Sequence, residues 1–159
     1  MEDPNPLVSG KGFSRLKEHG VEVITGILNE EAKKLNEKFI VWHQQKRPFV
    51  HLKLAMSLDA RISLQNSVST ALTGEKSRAR VQELRHEHDA ILVGGNTALV
   101  DNPSLTDRSE KKRRRKLVRV ILDNRLRIPL DSTLVKTAEE TPTLVISNSD
   151  DETKIETLL

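Results

Sequence analysis

Three groups of residues in this 159-residue chain have the types and spacing to do chemistry. The first is Leu52-Lys53-x-Ala55-x-Ser57-Leu58-Asp59-x-Arg61, which sets small and polar residues where a sheet interior would prefer bulk. An ammonium on a half-buried strand face needs an anionic or carbonyl partner, so Lys53 could ground a ligand there. The same residues also fit a strand-end turn in which Asp59 is only a local cap. The second group is Gly94-Gly95-Asn96-Thr97-x-x-x-Asp101. A strand running into two glycines and a short helix can bring backbone N–H groups close to an anionic ligand. Thr97 and Asp101, four apart, share one helical face. The pair of glycines is neither a Rossmann fingerprint nor a Walker loop, and a plain turn with an N-cap explains it equally. The third group is Arg85 and Arg108, whose guanidinium forks suit a phosphate or a planar carbonyl, although most arginines are solvated surface charges.

Other chemistries are absent from the sequence. With no cysteine there is no disulfide, no thiolate nucleophile and no Cys-ligated zinc. Among the five histidines only His86 and His88 are close in sequence, and two residues apart they point to different helix faces, so no metal site is expected. No Gly-x-Ser-x-Gly elbow and no Ser-His-Asp arrangement is legible. The net charge is +3, yet six positive residues run consecutively from Lys111 to Lys116, and setting those six aside leaves −3. The basic pI of about 9.3 therefore reflects one segment, expected to be a solvated loop. The few aromatic residues, Phe13, Phe39, Trp42 and Phe49, all precede residue 50. Base-stacking platforms need such rings near the cationic surface, which argues against nucleic acid as a partner. No apolar run reaches the length of a spanning helix, and the first residues have neither a basic region nor an apolar core. A cytoplasmic protein with no membrane partner is expected.

The elements that would position these residues follow from periodicity and punctuation. A short amphipathic helix around Phe13 and Leu16 stops at Gly20. Val21 to Leu28 reads as a β-rich stretch, and Asn29 caps a helix that runs to about Gln45 through Ala32, Leu35, Phe39 and Ile40. Beyond Arg47-Pro48 the pattern turns to strand from Phe49 to Met56, with His51, Lys53 and Ala55 on one face. A second short strand is expected near Ile62–Leu64, then a polar loop over residues 65–69. A helix opens at Thr73 or Gly74 and ends near His88. It is followed by a buried strand Ala90–Val93, a short helix Asn96–Val100, a loop to Lys116, and strands at Leu117–Leu122 and Thr143–Ile146. Asp150 or Asp151 caps a final helix. Strands alternating with helices indicate an α/β fold with a largely parallel sheet.

Taken together, several segments resemble one family. They are Arg47-Pro48-Phe49-Val50 through Ser57-Leu58-Asp59, Leu72-Thr73-Gly74, Leu84-Arg85, Asp89-Ala90-Ile91-Leu92-Val93-Gly94, Thr97, Asp101-Asn102-Pro103-Ser104-Leu105-Thr106-x-Arg108 and Arg119-Val120-Ile121-Leu122-Asp123. In order and spacing this series is similar to the reductase domain of the bifunctional riboflavin-biosynthesis deaminase/reductases. Asp3-Pro4-Asn5-Pro6-x-Val8-x-Gly10-x-Gly12, Val21 to Leu28 and Leu35-Asn36-x-x-Phe39 resemble the end of the same family's zinc deaminase domain. The resemblance divides the chain into a deaminase remnant with linker, 1–46, built as α-β-α, and the first part of a reductase domain, 47–159. The deaminase motifs His-x-Glu and Pro-Cys-x-x-Cys are missing, which excludes deamination by this chain.

The resemblance implies a dihydrofolate-reductase-like, mostly parallel sheet with flanking helices, here incomplete. It also implies NADPH-dependent reduction of the ribosyl group of 5-amino-6-(5-phosphoribosylamino)uracil. By position in the matching motifs, Ala55, Thr97, Asp101 and Asn124 would contact NADPH. Ser69, Arg85, Leu105 and Arg108 would contact the phosphorylated pyrimidine substrate, and Lys53 would orient the sugar as it accepts hydride. A homodimer is implied as well. Family members usually carry glycine after Ser-Leu-Asp and tryptophan two residues before the threonine, where this chain has Ala60 and Ala71. The family's Glu-Gly-Gly segment would lie beyond Leu159, so an incomplete site with little or no turnover is expected. The competing expectation, from a different class, is a non-catalytic α/β module that binds nucleic acid or an acidic partner through residues 111–116.

Overall fold

The computed structural model describes residues 1–65 and 68–158, so Asn66 and Ser67 of the loop expected over residues 65–69 lie outside the described residues, as does Leu159. The chain forms two compact units, Met1–Lys53 and Leu54–Leu159.

The first unit holds three helices, α1 (Lys11–Glu18), α2 (Asn29–Leu35) and α3 (Glu37–Gln45). Gly20 ends α1 as expected. Its φ is +75°, its N–H donates to the Lys17 carbonyl at 3.0 Å, and the Val21 N–H reaches back to Leu16 at 3.0 Å. That pair of bonds is the Schellman closure, which needs a left-handed residue at the turn. The helix expected from Asn29 to Gln45 is instead two helices, broken at Asn36. The Asn36 amide donates to the Ala32 carbonyl at 2.8 Å, a local bond that competes with helix continuation. The start also shifts, because Leu28, with φ +50°, takes the cap position and Asn29 begins the helix. The β stretch expected at residues 21–28 is irregular, so the unit is helical rather than α-β-α. None of its helices buries a side chain completely.

Among the described residues no strand precedes residue 90. The stretch expected as a strand over Phe49–Met56 is irregular, and Val50, Leu52 and Leu54 are exposed. Ile62–Leu64 forms bends. Apolar alternation records which side chains prefer burial, but a strand exists only when a neighbour accepts its backbone hydrogen bonds. In an irregular stretch, alternation does not set Lys53 on an inner face. Lys53 is exposed.

The second unit carries the core. Helix α4 (Glu75–Glu87) starts after Gly74 and leads into β1 (Ala90–Gly94), α5 (Gly95–Asp101), β2 (Val118–Leu122), a one-turn α6 (Thr133–Lys136), β3 (Thr143–Ile146) and α7 (Glu152–Leu158). The strands are parallel in the order β1-β2-β3, with Val93 opposite Ile121 and Ile121 opposite Val145. This is the parallel α/β arrangement expected from the alternation of elements. One sheet face, with Ile91, Val93, Ile121 and Val145, packs with Ala98 of α5, Leu105, Ile128 and Leu134. On the other face Leu92, Leu122, Leu144 and Ile146 stay half exposed. Asp151 caps α7 as expected, its carboxylate accepting the Lys154 N–H at 3.1 Å. Helix α6, too short for periodicity to reveal, is capped by Ser132.

Two buried polar residues organise this core. Arg119, fully buried on β2, donates to the carbonyls of Ser104, Leu134, Thr137 and Thr141 and to the hydroxyls of Thr137 and Thr143, at 2.8–3.0 Å. Burial lowers its pKa and the charge of Glu140 opposes that, and with all these oxygens as acceptors the guanidinium remains a cation. Asp123, also buried, accepts the Ile128 N–H at 2.7 Å and so closes the turn after β2.

Candidate functional site

Parallel strands deliver their C-terminal ends to one edge of a sheet, where open α/β folds bind ligands. Gly94 ends β1, and α5 begins at once, so Thr97 lies in the helix's first turn at that edge and Asp101 at the helix's other end. Both are exposed. Asn124 follows β2 by two residues, is exposed, and fixes its backbone by accepting the Asn148 N–H at 3.3 Å from the segment after β3. Topology thus places Thr97 and Asn124 near the carboxyl edge of the sheet, with Asp101 at the far end of α5. The fourth expected cofactor contact, Ala55, is half-buried in the irregular stretch before α4.

The two glycines of the pair differ. A β-carbon on Gly95 would lie 2.7 Å from Asp123 Oδ1, so this glycine admits the chain's own carboxylate, and Gly94 has open space around it. Among the described residues Asp123 Oδ1 accepts no hydrogen bond, and Arg127 Nε lies 3.7 Å from it.

The loop after α5 folds back on α4 and brings the two predicted phosphate-binding arginines together. Arg85 Nη1 donates to the Thr106 carbonyl at 2.8 Å, and Gln82 Oε1 accepts the backbone N–H of Arg108 at 2.9 Å. Between them His86 Nδ1 lies 3.0 Å from Asp107 Oδ2. Arg85 is half-buried with a buried, unpartnered Nε, and Arg108 is exposed. Burial and then the neighbouring Arg108 charge lower the pKa of Arg85, partly offset by Asp107. Two like charges on segments tied together in this way could serve an anion.

Leu105 joins the same loop, but its side chain is buried in the core and its φ is +49°, so it can meet a ligand only through its backbone. Ser69 is exposed in the irregular stretch before α4, and no hydrogen bond among the described residues joins it to the arginines. The Ser57–Arg61 segment forms a tight turn in which the Ser57 hydroxyl donates to Asp59 and Arg61 Nε pairs with Asp59 at 3.0 Å. The Asp59 carboxyl is held below its usual range, first by the Ser57 bond. This is the local-cap reading of Asp59.

The basic run is not a uniformly solvated loop. Arg113 turns inward, to the carbonyls of Arg85, His86 and His88 and to Asp107, whereas the other five cations are exposed. Nothing in the run itself distinguishes Arg113. Its partners lie across the fold.

The model of the RibD C-terminal domain matches residues 48–159. The chain belongs to the RibD C-terminal domain family. Riboflavin biosynthesis protein RibD of Actinobacillus pleuropneumoniae is 47% identical over 97% of this chain and 40% of that protein, and RibD of Aquifex aeolicus is 42% identical over 94% and 42%. The structure is similar to a Thermotoga maritima diaminohydroxyphosphoribosylaminopyrimidine deaminase/5-amino-6-(5-phosphoribosylamino)uracil reductase, with TM-score 0.82 and 42% identity over 94% of this chain and 41% of the other. It is also similar to Acinetobacter baumannii RibD, with TM-score 0.80 and 34% identity over 99% and 45%. The chain thus spans about two fifths of the length of these RibD relatives. No helix among its described residues is long and apolar enough to cross a membrane.

Proposed function

We propose that this chain contributes the nucleotide-facing part of an NADPH-dependent reductase acting on 5-amino-6-(5-phosphoribosylamino)uracil. The observation that carries the reading is the Arg85–Arg108 pair, two cations kept adjacent by a loop pinned to α4, within the residues that match the RibD C-terminal domain. Arg85 and Arg108 take the substrate phosphate, with Leu105 contributing backbone and Ser69 a hydroxyl. Exposed Thr97 and Asn124 near the carboxyl edge of the parallel sheet, with exposed Asp101 on the same helix as Thr97, suit the polar groups of a dinucleotide, and Ala55 is a further contact. When bound, NADPH supplies the hydride. The protein's own work is to fix the sugar phosphate and to keep two ligands in register.

Titration of NADPH into the chain, followed by nicotinamide fluorescence, tests the cofactor half. Saturable quenching, lost when Thr97 and Asp101 are both changed to alanine, is expected, and no quenching would sink it. Ribose 5-phosphate tests the other half. Arg85→Ala lowers its affinity about tenfold, the worth of a charge-assisted hydrogen bond pair. The alternative of a nucleic-acid module is weakened by Arg113, which is spent inside the fold. A salt-dependent shift on RNA without any nicotinamide response would restore it.

A further inference from the structure

Arg113 sits in the middle of the six-residue basic run, yet its side chain is only 17% exposed. Nη1 donates to the carbonyls of Arg85 at 2.7 Å and His86 at 3.1 Å, Nη2 to His88 at 2.8 Å, and Nε to Arg115 at 3.0 Å. The carbonyls of Arg85 and His86 are among the last of α4, which have no intrahelical donor. Nη1 also pairs with Asp107 Oδ2 at 2.9 Å. Asp107 in turn accepts the Ser109 N–H at 2.9 Å and faces His86 Nδ1. One guanidinium therefore ties the end of the helix bearing Arg85 to the residue that precedes Arg108.

The charges sort accordingly. Asp107 pairs directly with Arg113 and offsets Arg85 only in part, so Arg85 and Arg108 keep a net repulsion that tends to open the loop. A phosphate monoester carries a charge of about −1.5 to −2 near neutral pH, which matches that pair.

We infer that Arg113 is a positioning residue, fastening the 105–109 loop to α4 so that Arg85 and Arg108 stay side by side to receive a phosphate monoester. The inference rests on the proposed phosphate role of those two arginines. Lysine at this position would keep the charge but lose the fork that reaches four carbonyls and a carboxylate.

The test is equilibrium binding of ribose 5-phosphate and, separately, of NADPH to the wild-type chain and to Arg113→Lys, Arg113→Ala, Asp107→Asn and Lys112→Ala. Arg113→Lys and Asp107→Asn are expected to weaken ribose 5-phosphate about fivefold, equivalent to roughly 1 kcal/mol, and to leave NADPH within about twofold. Lys112→Ala, an exposed neighbour, leaves both unchanged. Equal ribose 5-phosphate affinity in Arg113→Lys and wild type overturns the inference. So does a proportional loss of both ligands, the signature of a merely structural role. A wild-type chain that does not respond to ribose 5-phosphate overturns the phosphate reading itself, and the inference falls with it. Where Arg113→Ala fails to fold, the lysine and Asp107 variants decide the matter.

Discussion

Asp123 Oδ1 lies 2.7 Å from where a β-carbon on Gly95 would project, and the Asp123 Cβ and Cγ are each 2.9 Å from it. The end of β2 and the start of α5 are therefore in direct backbone-to-side-chain contact. Asp123 cannot easily yield, because its other oxygen holds the Ile128 N–H and the residue is buried.

Gly95→Ala forces one of these elements to move. Overpacking of this kind costs about 1–3 kcal/mol, and the loss is expected as a lower urea midpoint with an unchanged slope. Gly94→Ala, with open space around it, is the matched control and should change stability little.

Ala60 sits at φ +60° in the Ser57–Arg61 turn, where its N–H donates to the Ser57 carbonyl at 3.0 Å. A left-handed conformation costs a residue bearing a β-carbon about 1–2 kcal/mol, which glycine avoids. Glycine also loses more entropy on folding, by about 0.5–1 kcal/mol. Ala60→Gly is thus expected to raise stability by about 0.5–1 kcal/mol, the difference of those terms. Thermal unfolding at one protein concentration checks it, and a lower midpoint would refute the turn's role.

Arg119→Met roughly keeps volume but removes the guanidinium bonds to four carbonyls and two hydroxyls, of which the Leu134 and Thr141 carbonyls still receive the Thr143 hydroxyl. Each stranded acceptor costs about 1–3 kcal/mol, so a loss of at least about 3 kcal/mol is expected even after local rearrangement. Guanidinium chloride titration followed by circular dichroism measures it.

The Asp107 carboxyl is held well below the usual carboxylate range. Burial alone raises it, and the hydrogen bonds from Ser109, Arg113 and His86 more than reverse that effect. A lowered folded-state pKa gives stability that is complete above the unfolded-state value, near 4, and is lost progressively as pH falls below it. Asp107→Asn is expected to be less stable at neutral pH and to lose stability less steeply between about pH 4 and 2. Urea midpoints across that interval test the prediction, and parallel curves for the two proteins would exclude it.

Much of the second unit was legible residue by residue. Ala90–Gly94, Val118–Leu122 and Thr143–Ile146 are short apolar runs bounded by Asp89, Asp123 and Pro142, and each forms a strand where expected. Gly20 and Asp151 stop and start helices because a left-handed turn and a capping carboxylate act within a few residues of themselves. The paired arginines were visible as types but not as neighbours, since α4 and the loop after α5 meet only when the chain folds.

Sequence alone determined the local elements, the parallel α/β class and the family motifs, because propensity, capping and short-range alternation reside in adjacent residues. Tertiary structure alone decided that Arg113 points inward, that Arg119 is the polar centre of the core, that Gly95 makes room for Asp123, and that residues 49–56 are not a strand. The reason is common to all four. Whether a charge is buried, a glycine required or a strand formed depends on partners supplied from elsewhere in the chain, 15 to 24 residues away for Arg119 and up to 28 for Arg113.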